Sequence, residues 1–502
     1  LSSHGLDVVP SRANRERIAQ YIATAGTEKI ITSANKIGWH NDNFVLPNKT
    51  IGYGADSVIY QSDHVGTQNF NTAGTLEDWK KNISRYCKSN PILLFGVSHA
   101  FAAPLLLLTR NKGGGAHLRG SSSSGKSTAL FVAGSVCGGG GENGFLHTWR
   151  ATSNGLEGIA AAHNHALLCL DEIGQCEARD VGNVAYMLAN GESKIRMTRG
   201  LQTQTPLSWN LLYLSTGEVS LSDKILEAGG RVKGGHEVRL CDIDAEAGNL
   251  WGVFNELHGF GGGRELSDHL RSASCKYYGT AFRSFLKWLV EMDAKDILKN
   301  WYEFESDFLE QLKAKKVLTD QEHLSGEVGR VASRFALIAF GGELATMADV
   351  TGWRKGEAAA AIQKVFKNWL TGRGGTGQTD AQNVIRQVRA FIENHGSSRF
   401  QDANNPDEKV ISRAGYVRKD DERQVTEYLI MTETFKAEVC KGFSWKFCAR
   451  VLFDAGYLEA AENESKYISR AVGSSRVFTL YPNILEDADG EQKQNESKSQ
   501  TG

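Results

Sequence analysis

The sequence predicts an α/β fold built on a mostly parallel sheet, with a phosphate-binding loop at the end of one strand. Three observations predict it. Residues 120–127 read Gly-Ser-Ser-Ser-Ser-Gly-Lys-Ser and match the pattern G-x-x-x-x-G-K-[ST]. Strand and helix signals alternate between about residues 91 and 260. An apolar strand, Leu167-Leu168-Cys169-Leu170, ends in the carboxylate pair Asp171-Glu172.

From the N-terminus, Arg12–Ala23 has helical spacing. Short β-like pieces follow at Lys29–Thr32, Gly38-Trp39, Phe44–Pro47 and Ser57–Tyr60, separated by turn residues. Residues 1–90 are therefore expected to form a small mixed α/β domain. Helical spacing returns at Leu76–Tyr86 and continues after Pro91. Residues 91–263 carry strand signals at Ala116–Arg119, Leu146–Arg150, Ala166–Leu170, Leu211–Ser215 and Glu237–Leu240. Helix signals lie between them at Ser127–Cys137, Asn154–Asn164 and Asp180–Ala189. That alternation argues for a parallel sheet covered on both faces. Residues 264–370 repeat apolar positions at three and four, as in Val328, Val331 and Phe335, and read as a helical region. Residues 371–380 read as a linker. Residues 381–483 read as a last domain and 484–502 as a polar, disordered tail. No internal repeat is visible.

The chain has 502 residues, 41 % of them apolar and 23 % charged, too many for a single core. Its formal net charge of −1 gives no bulk attraction to nucleic acid or anionic lipid, so any nucleic-acid site must be a local basic surface. The apolar run Ile92–Leu108 is broken by Gly96, Ser98, His99 and Pro104 and reads as buried helix, so no membrane partner is expected. The eight cysteines are scattered, with no C-x-x-C pair, which points away from a zinc or disulfide framework and towards a cytoplasmic location. Leu1 is not an initiator methionine, which points to a fragment or a processed product.

The loop names its ligand, a polyphosphate nucleotide with magnesium. Gly120 and Gly125 allow a tight turn that aims the N–H groups of Ser121, Ser122, Ser123 and Ser124 inward. Lys126 suits the β- and γ-phosphates, Ser127 suits a Mg²⁺ ion, and Thr128 continues the first turn of a helix whose positive end faces the anion. A Gly/Ser linker would match the same pattern, but the strand before it and the helix after it are what a phosphate loop demands. In a nucleotide hydrolase Asp171 would hold the Mg²⁺ shell and Glu172 would activate the attacking water. The strand Leu211–Glu218 offers a hydroxyl for the phosphate or the water, Thr216 first and Ser215 second. Arginine suits developing phosphoryl charge. Arg231 fits a finger reaching the next subunit's nucleotide, and Arg330 or Arg334 could reach the nucleotide from the same or a neighbouring chain. The segment 191–205 reads as a β-hairpin with a basic tip, placing Lys194, Arg196 and Arg199 for nucleic-acid phosphates. At the C-terminal end, helices followed by a β wing suggest a winged helix. Lys446 and Arg450 lie on its second helix and Lys466, Arg470 and Arg476 near the wing. Such modules dock DNA or protein.

These residues together resemble the AAA+ ATPases. More narrowly, the chain is similar to a family of helicase-like proteins carried by bacterial phages, plasmids and integrated cassettes, long known as a domain of unknown function. The resemblance covers most of residues 30–370. It rests on Gly38-Trp39, Val45-Leu46-Pro47, His117–Ser127, Thr148–Glu157, Tyr186–Gly191, Leu214–Glu218, Arg330-Val331-Ala332, Arg334-Phe335 and Gly342–Ala345. It implies an AAA+ P-loop NTPase core with a helical lid, using ATP and Mg²⁺, in a hexameric ring similar to minichromosome-maintenance helicases. Single-stranded DNA would lie in the ring pore, and a primase or polymerase of the same element is a further implied partner. The resemblance supports Arg231 as a finger acting in trans and Arg330 as a sensor from the lid. Ser127 stands where the family often has threonine; both hydroxyls bind Mg²⁺. The implied function is an ATP-dependent DNA helicase. The alternative is a nucleotide-gated DNA-binding initiator or loader with slow turnover; a protein-remodelling ATPase would carry an aromatic pore loop, which is not evident.

Overall fold

The computed structural model describes residues 11–26, 30–61, 69–139, 144–194, 196–197, 203–204, 206–230, 234–315, 317–318, 326–372, 379–405, 409–441, 443–459, 467–471 and 475–485. Arg199, Arg231, Lys466 and residues 486–502 of the expected tail lie outside them, as do the side chains of Arg196 and Arg470; Ile484 and Leu485, also expected in the tail, pack on the C-terminal core instead.

Helix α1 (Arg12–Thr24) is capped by the Ser11 hydroxyl, which accepts the Asn14 N–H, and buries none of its side chains. Strands β1 (Thr32–Ala34), β2 (Gly38–His40), β3 (Asn43–Leu46), β4 (Lys49–Ile51) and β5 (Val58–Tyr60) follow. β2–β3–β4 form an antiparallel meander and β1 runs parallel to β5. Helix α2 (Leu76–Trp79) starts on a capping box between Thr75 and Asp78, then passes through a π turn at Lys80–Ser84 into α3 (Arg85–Cys87). α4 (Pro91–Ala102) is buried at every position after Pro91, and α5 (Leu105–Leu108) extends it. A helix apolar on all sides belongs inside a core. Among the described residues no helix is long and apolar enough to cross a membrane.

The central sheet begins with β6 (Gly114–Arg119), followed by α6 (Lys126–Cys137), β7 (Leu146–Thr148), α7 (Ser153–Ala161), β8 (Leu167–Asp171) and α8 (Val181–Asn190). A short pair, β9 (Arg196–Met197) and β10 (Thr203–Gln204), leads to β11 (Leu212–Gly217), α9 (Leu221–Glu227), α10 (Gly234–Arg239) and β12 (Leu240–Asp244). The strand order is β12–β6–β11–β8–β7, all neighbours parallel. Alternation along each strand divides the side chains between two cores. Leu167 and Cys169, Leu212 and Leu214, and Cys241 and Ile243 face the core that contains α4 and α6. Leu168 and Leu170, Tyr213, and Leu240 face the one that contains α7, α8 and α9. Burial on both faces is why these strands read as unbroken apolar runs.

Helices α11 (Gly263–Ser274), α12 (Thr280–Leu289), α13 (Ala294–Ala314), α14 (Gly326–Met347) and α15 (Glu357–Gly372) share the larger core with α4 and α6. The C-terminal unit comprises α16 (Thr379–His395), β13 (Phe400–Asp402), β14 (Gly415–Lys419), β15 (Val425–Met431), α17 (Thr432–Thr434) with a π turn at Phe435–Val439, α18 (Trp445–Asp454), β16 (Ser469–Ala471) and β17 (Ser475–Leu480). Its sheet runs β13–β14–β15–β17–β16, over a separate core containing Val384, Ile392, Phe435, Leu452 and Phe478.

Two local expectations are corrected. The strand expected at Glu237–Leu240 starts only at Leu240, and Gly234–Arg239 is helical. The His236-Glu237-Val238-Arg239 alternation suits a strand, but packing overrides it. The His236 ring sits edge-on to Tyr186 at 4.8 Å, and the Arg239 guanidinium lies 4.0 Å from the Tyr186 ring centre. The C-terminal unit also holds three strands, β13–β15, where only helices and a terminal wing were expected.

Candidate nucleotide site

The parallel sheet brings the C-terminal ends of β6, β8 and β11 to one edge, and the chemistry expected from sequence collects there. β6 delivers Gly120, and α6 begins at Lys126. The turn between them uses left-handed backbone at Ser123 (φ +65°) and Gly125 (φ +91°). Gly125 has two reasons to lack a side chain: its φ is one that L-residues disfavour, and a Cβ would sit 2.8 Å from Val253 Cγ2. Lys126 is almost wholly buried. Its ammonium donates to Gly120 O at 3.0 Å, to Ser121 O and to Ser124 Oγ at 3.3 Å. The loop thus gathers a cation and a helix N-terminus at one point, as an anion site requires.

Asp171 ends β8 beside this loop. Ser127 Oγ donates to Asp171 Oδ1 at 3.2 Å, and Thr216 Oγ1 donates to the same oxygen. Thr216 Oγ1 in turn accepts the Glu172 N–H at 3.3 Å. Four of the expected residues, Ser127, Asp171, Glu172 and Thr216, are therefore linked by hydrogen bonds. Hard oxygen donors on Ser127 and Asp171 fit Mg²⁺, which takes one or two protein ligands and draws the rest from phosphate and water. Among the described residues no cluster of three or more His, Cys, Asp or Glu side chains offers a metal cage. Glu172 is held at φ +58°, uncommon for a non-glycine residue, and its carboxylate accepts the Gly174 N–H at 3.2 Å.

Ser215 faces away from this cluster because consecutive strand residues point to opposite faces. The Trp149 indole donates to Ser215 Oγ at 2.9 Å, Ser215 donates to His117 Nδ1 at 2.9 Å, and His117 Nε2 donates to Val219 O at 3.0 Å. This relay satisfies every buried polar group it contains. Burial pushes the His117 pKa from its ordinary 6.5 down to about 4. The unfolded chain therefore takes up the proton first as pH falls. The stability gained from keeping His117 neutral is complete above pH 6.5 and is lost between there and about pH 4. Urea titrations should show wild type losing roughly 3 kcal/mol more than His117→Gln between pH 7 and pH 4. Equal losses would show that His117 is not held neutral.

The arginine candidates are placed differently. Arg334 lies on α14 and donates to Val238 O at 2.7 Å and Gly113 O at 3.4 Å, at the start of β6. The phosphate loop is at the other end of that strand, so Arg334 does not face the loop of its own chain. Arg330, one turn earlier, is exposed. At the hairpin, Met197 pairs with Thr203 and Arg196 with Gln204 in antiparallel register. Its root continues through a Glu192–Ser208 bridge and the Trp209 N–H on Gly191 O at 2.8 Å. Lys194 is exposed beside that root.

Residues 1–206 match the family described as "Domain of unknown function (DUF927)". A solved structure described as "SCCmec type IV Cch - active helicase" is similar over 95 % of this chain and 85 % of that chain, with a TM-score of 0.70 and 18 % identity. At that identity the likeness is one of fold. No curated protein matches the chain.

A cleft of about 800 Å³ opens from the loop towards residues that sequence patterns did not single out. Glu246 accepts both the N–H of Ser121 and its hydroxyl, the latter at 2.6 Å, and these bonds hold its carboxyl below the usual range. Trp251 and, on α11, Arg264 and Arg271 line the same cleft. The Arg271 guanidinium lies 5.1 Å from the Phe131 ring centre. Residues 245–262 have no period that would have marked them; only the glycines at 261–263 hinted at a loop.

Proposed function

We propose that the chain is a Mg²⁺-dependent ATP hydrolase of the AAA+ type that works as a ring, translocating on single-stranded DNA and separating duplex. The observation that carries this is the hydrogen-bonded convergence of Ser127, Asp171, Glu172 and Thr216 beside the phosphate loop. The strand bearing Thr216 lies between the loop strand and the carboxylate strand, which supports the AAA+ resemblance. In this reading residues 91–263 are the ATPase core, 264–370 the lid region and 381–483 the winged helix, behind a small domain at 1–90.

Lys126 leaves its loop carbonyls for the β- and γ-phosphates, while the loop N–H groups hold the phosphate oxygens. Ser127 and Asp171 would hold Mg²⁺, which when bound neutralises phosphate charge. Glu172 takes a proton from the attacking water and Thr216 orients that water or the γ-phosphate. Arg231 of a neighbouring copy balances the charge that develops on transfer. Lys194, Arg196 and Arg199 grip nucleic-acid phosphates in the pore. On α18, exposed Lys446 and Arg450 alternate with half-buried Trp445 and Phe447, a mixture suited to phosphates and bases. The active helicase among solved neighbours supports the motor over the loader.

The test is ATP-driven opening of a tailed DNA duplex. Wild type should unwind it, Lys126→Ala should not, and Arg199→Ala should keep ATP binding but lose unwinding. Slow, DNA-independent turnover with no strand separation by wild type would leave the initiator or loader reading in its place. Normal unwinding by Arg199→Ala would remove the hairpin from the mechanism.

A further inference from the structure

We infer that the segment 249–254 is the seat of the nucleobase, with the Trp251 indole as a stacking surface that accepts purines with little discrimination between them. This rests on the nucleotide reading of the phosphate loop.

The cleft is lined near the loop by serines and charged side chains, and Leu250, Trp251 and Phe254 add an apolar stretch to its wall. Trp251 is 42 % exposed and Leu250 is 84 % exposed. Large apolar side chains left open beside a polar phosphate site match a ligand with one charged end and one flat aromatic end. A nucleoside triphosphate has that shape.

The wall is built rigidly onto the loop it would serve. Val253 N–H donates to Ser124 O at 2.9 Å, and Ala245 N–H donates to Arg119 O at 2.8 Å. Trp251 and Phe254 form an isolated bridge, and Phe254 is buried beneath it. Phosphate loop and indole therefore keep a fixed spacing, which lowers the ordering cost of binding a ligand that spans both.

The geometry also points to what is read. Asn249, the amide on this wall, is engaged within its own turn. It accepts from Asn255 Nδ2 at 2.9 Å and donates back to Asn255 Oδ1 at 3.3 Å. With that amide engaged, the side chains of 249–254 offer a face for stacking rather than groups that would tell adenine from guanine. Stacking favours the larger ring systems, so purines are preferred to pyrimidines.

The experiment measures equilibrium binding of ATP, GTP, CTP and inorganic tripolyphosphate to the full chain with Mg²⁺. Trp251→Ala and Trp251→Phe are compared with wild type. Wild type should bind ATP and GTP within a few-fold of each other and CTP more weakly. Trp251→Ala should weaken ATP and GTP about tenfold and leave tripolyphosphate unchanged. Trp251→Phe, which keeps an aromatic face, should retain most of the affinity. Unchanged ATP binding in Trp251→Ala overturns the seat, and so does an equal loss for tripolyphosphate. Should wild type bind ATP no tighter than tripolyphosphate, the seat alone fails. Should it bind neither, the nucleotide reading fails and the seat with it.

Discussion

Replacing Glu172 by Gln should cut ATP turnover by about 10²–10⁴-fold while ATP binding survives. In the proposed reading the change removes the general base and preserves shape. Glu172 contributes to the site through two separable groups. Its N–H anchors Thr216, and its carboxylate caps the turn at Gly174. Glutamine keeps the backbone bond, and its amide oxygen can still accept the Gly174 N–H. Only the ability to take a proton is lost. Lys126→Ala makes the contrast, because it removes the cation proposed to meet the phosphates and should abolish binding itself. The measurements are steady-state ATP hydrolysis and binding of a fluorescent ATP analogue. Full turnover in Glu172→Gln would move the base elsewhere; lost binding would make the residue structural.

The second large effect is on stability. Arg334→Ala should lower the free energy of unfolding by about 3 kcal/mol, whereas Arg330→Ala should change it by less than about 0.5 kcal/mol. The Arg334 guanidinium packs onto Gly114, where a Cβ would come within 2.3 Å of Cζ. It donates to the carbonyls of Val238 and Gly113, so it ties α10 and the start of β6 to α14. Alanine leaves a void and takes the donor from both carbonyls. Arg330 is exposed and tests the other possibility. If it serves a neighbour's nucleotide, Arg330→Ala should lose ATPase activity with its urea midpoint intact. An Arg334→Ala protein as stable as wild type would show that the contact is not structural.

The phosphate loop and the carboxylate pair were legible because each is contiguous. Eight successive residues set the turn at 120–127, and an apolar strand ending in Asp171-Glu172 marks where that strand meets the site. The choice between Ser215 and Thr216 was open in the sequence, since both hydroxyls end the same strand. Facing decided it: Thr216 points to Asp171, and Ser215 points to Trp149 and His117. Likewise Arg330 and Arg334 differ by one helical turn, and only the packing of α14 against the base of the sheet separates their surroundings. Glu246 and Trp251 carry no motif, and β13–β15 are short strands in which Arg418, Lys419 and Glu427 break the apolar run that marks the strands of the central sheet.

By its own residues, then, the chain determined the parallel sheet, the tight turn at 120–127, and the carboxylates at a strand end. These are matters of backbone chemistry and local period, and they need only neighbours in sequence. The tertiary structure decided which hydroxyl meets Asp171, which arginine braces the sheet, and which aromatic side chain borders the phosphate loop. Those outcomes depend on how strands align and which face each side chain takes, and on hydrogen bonds between residues far apart in the chain.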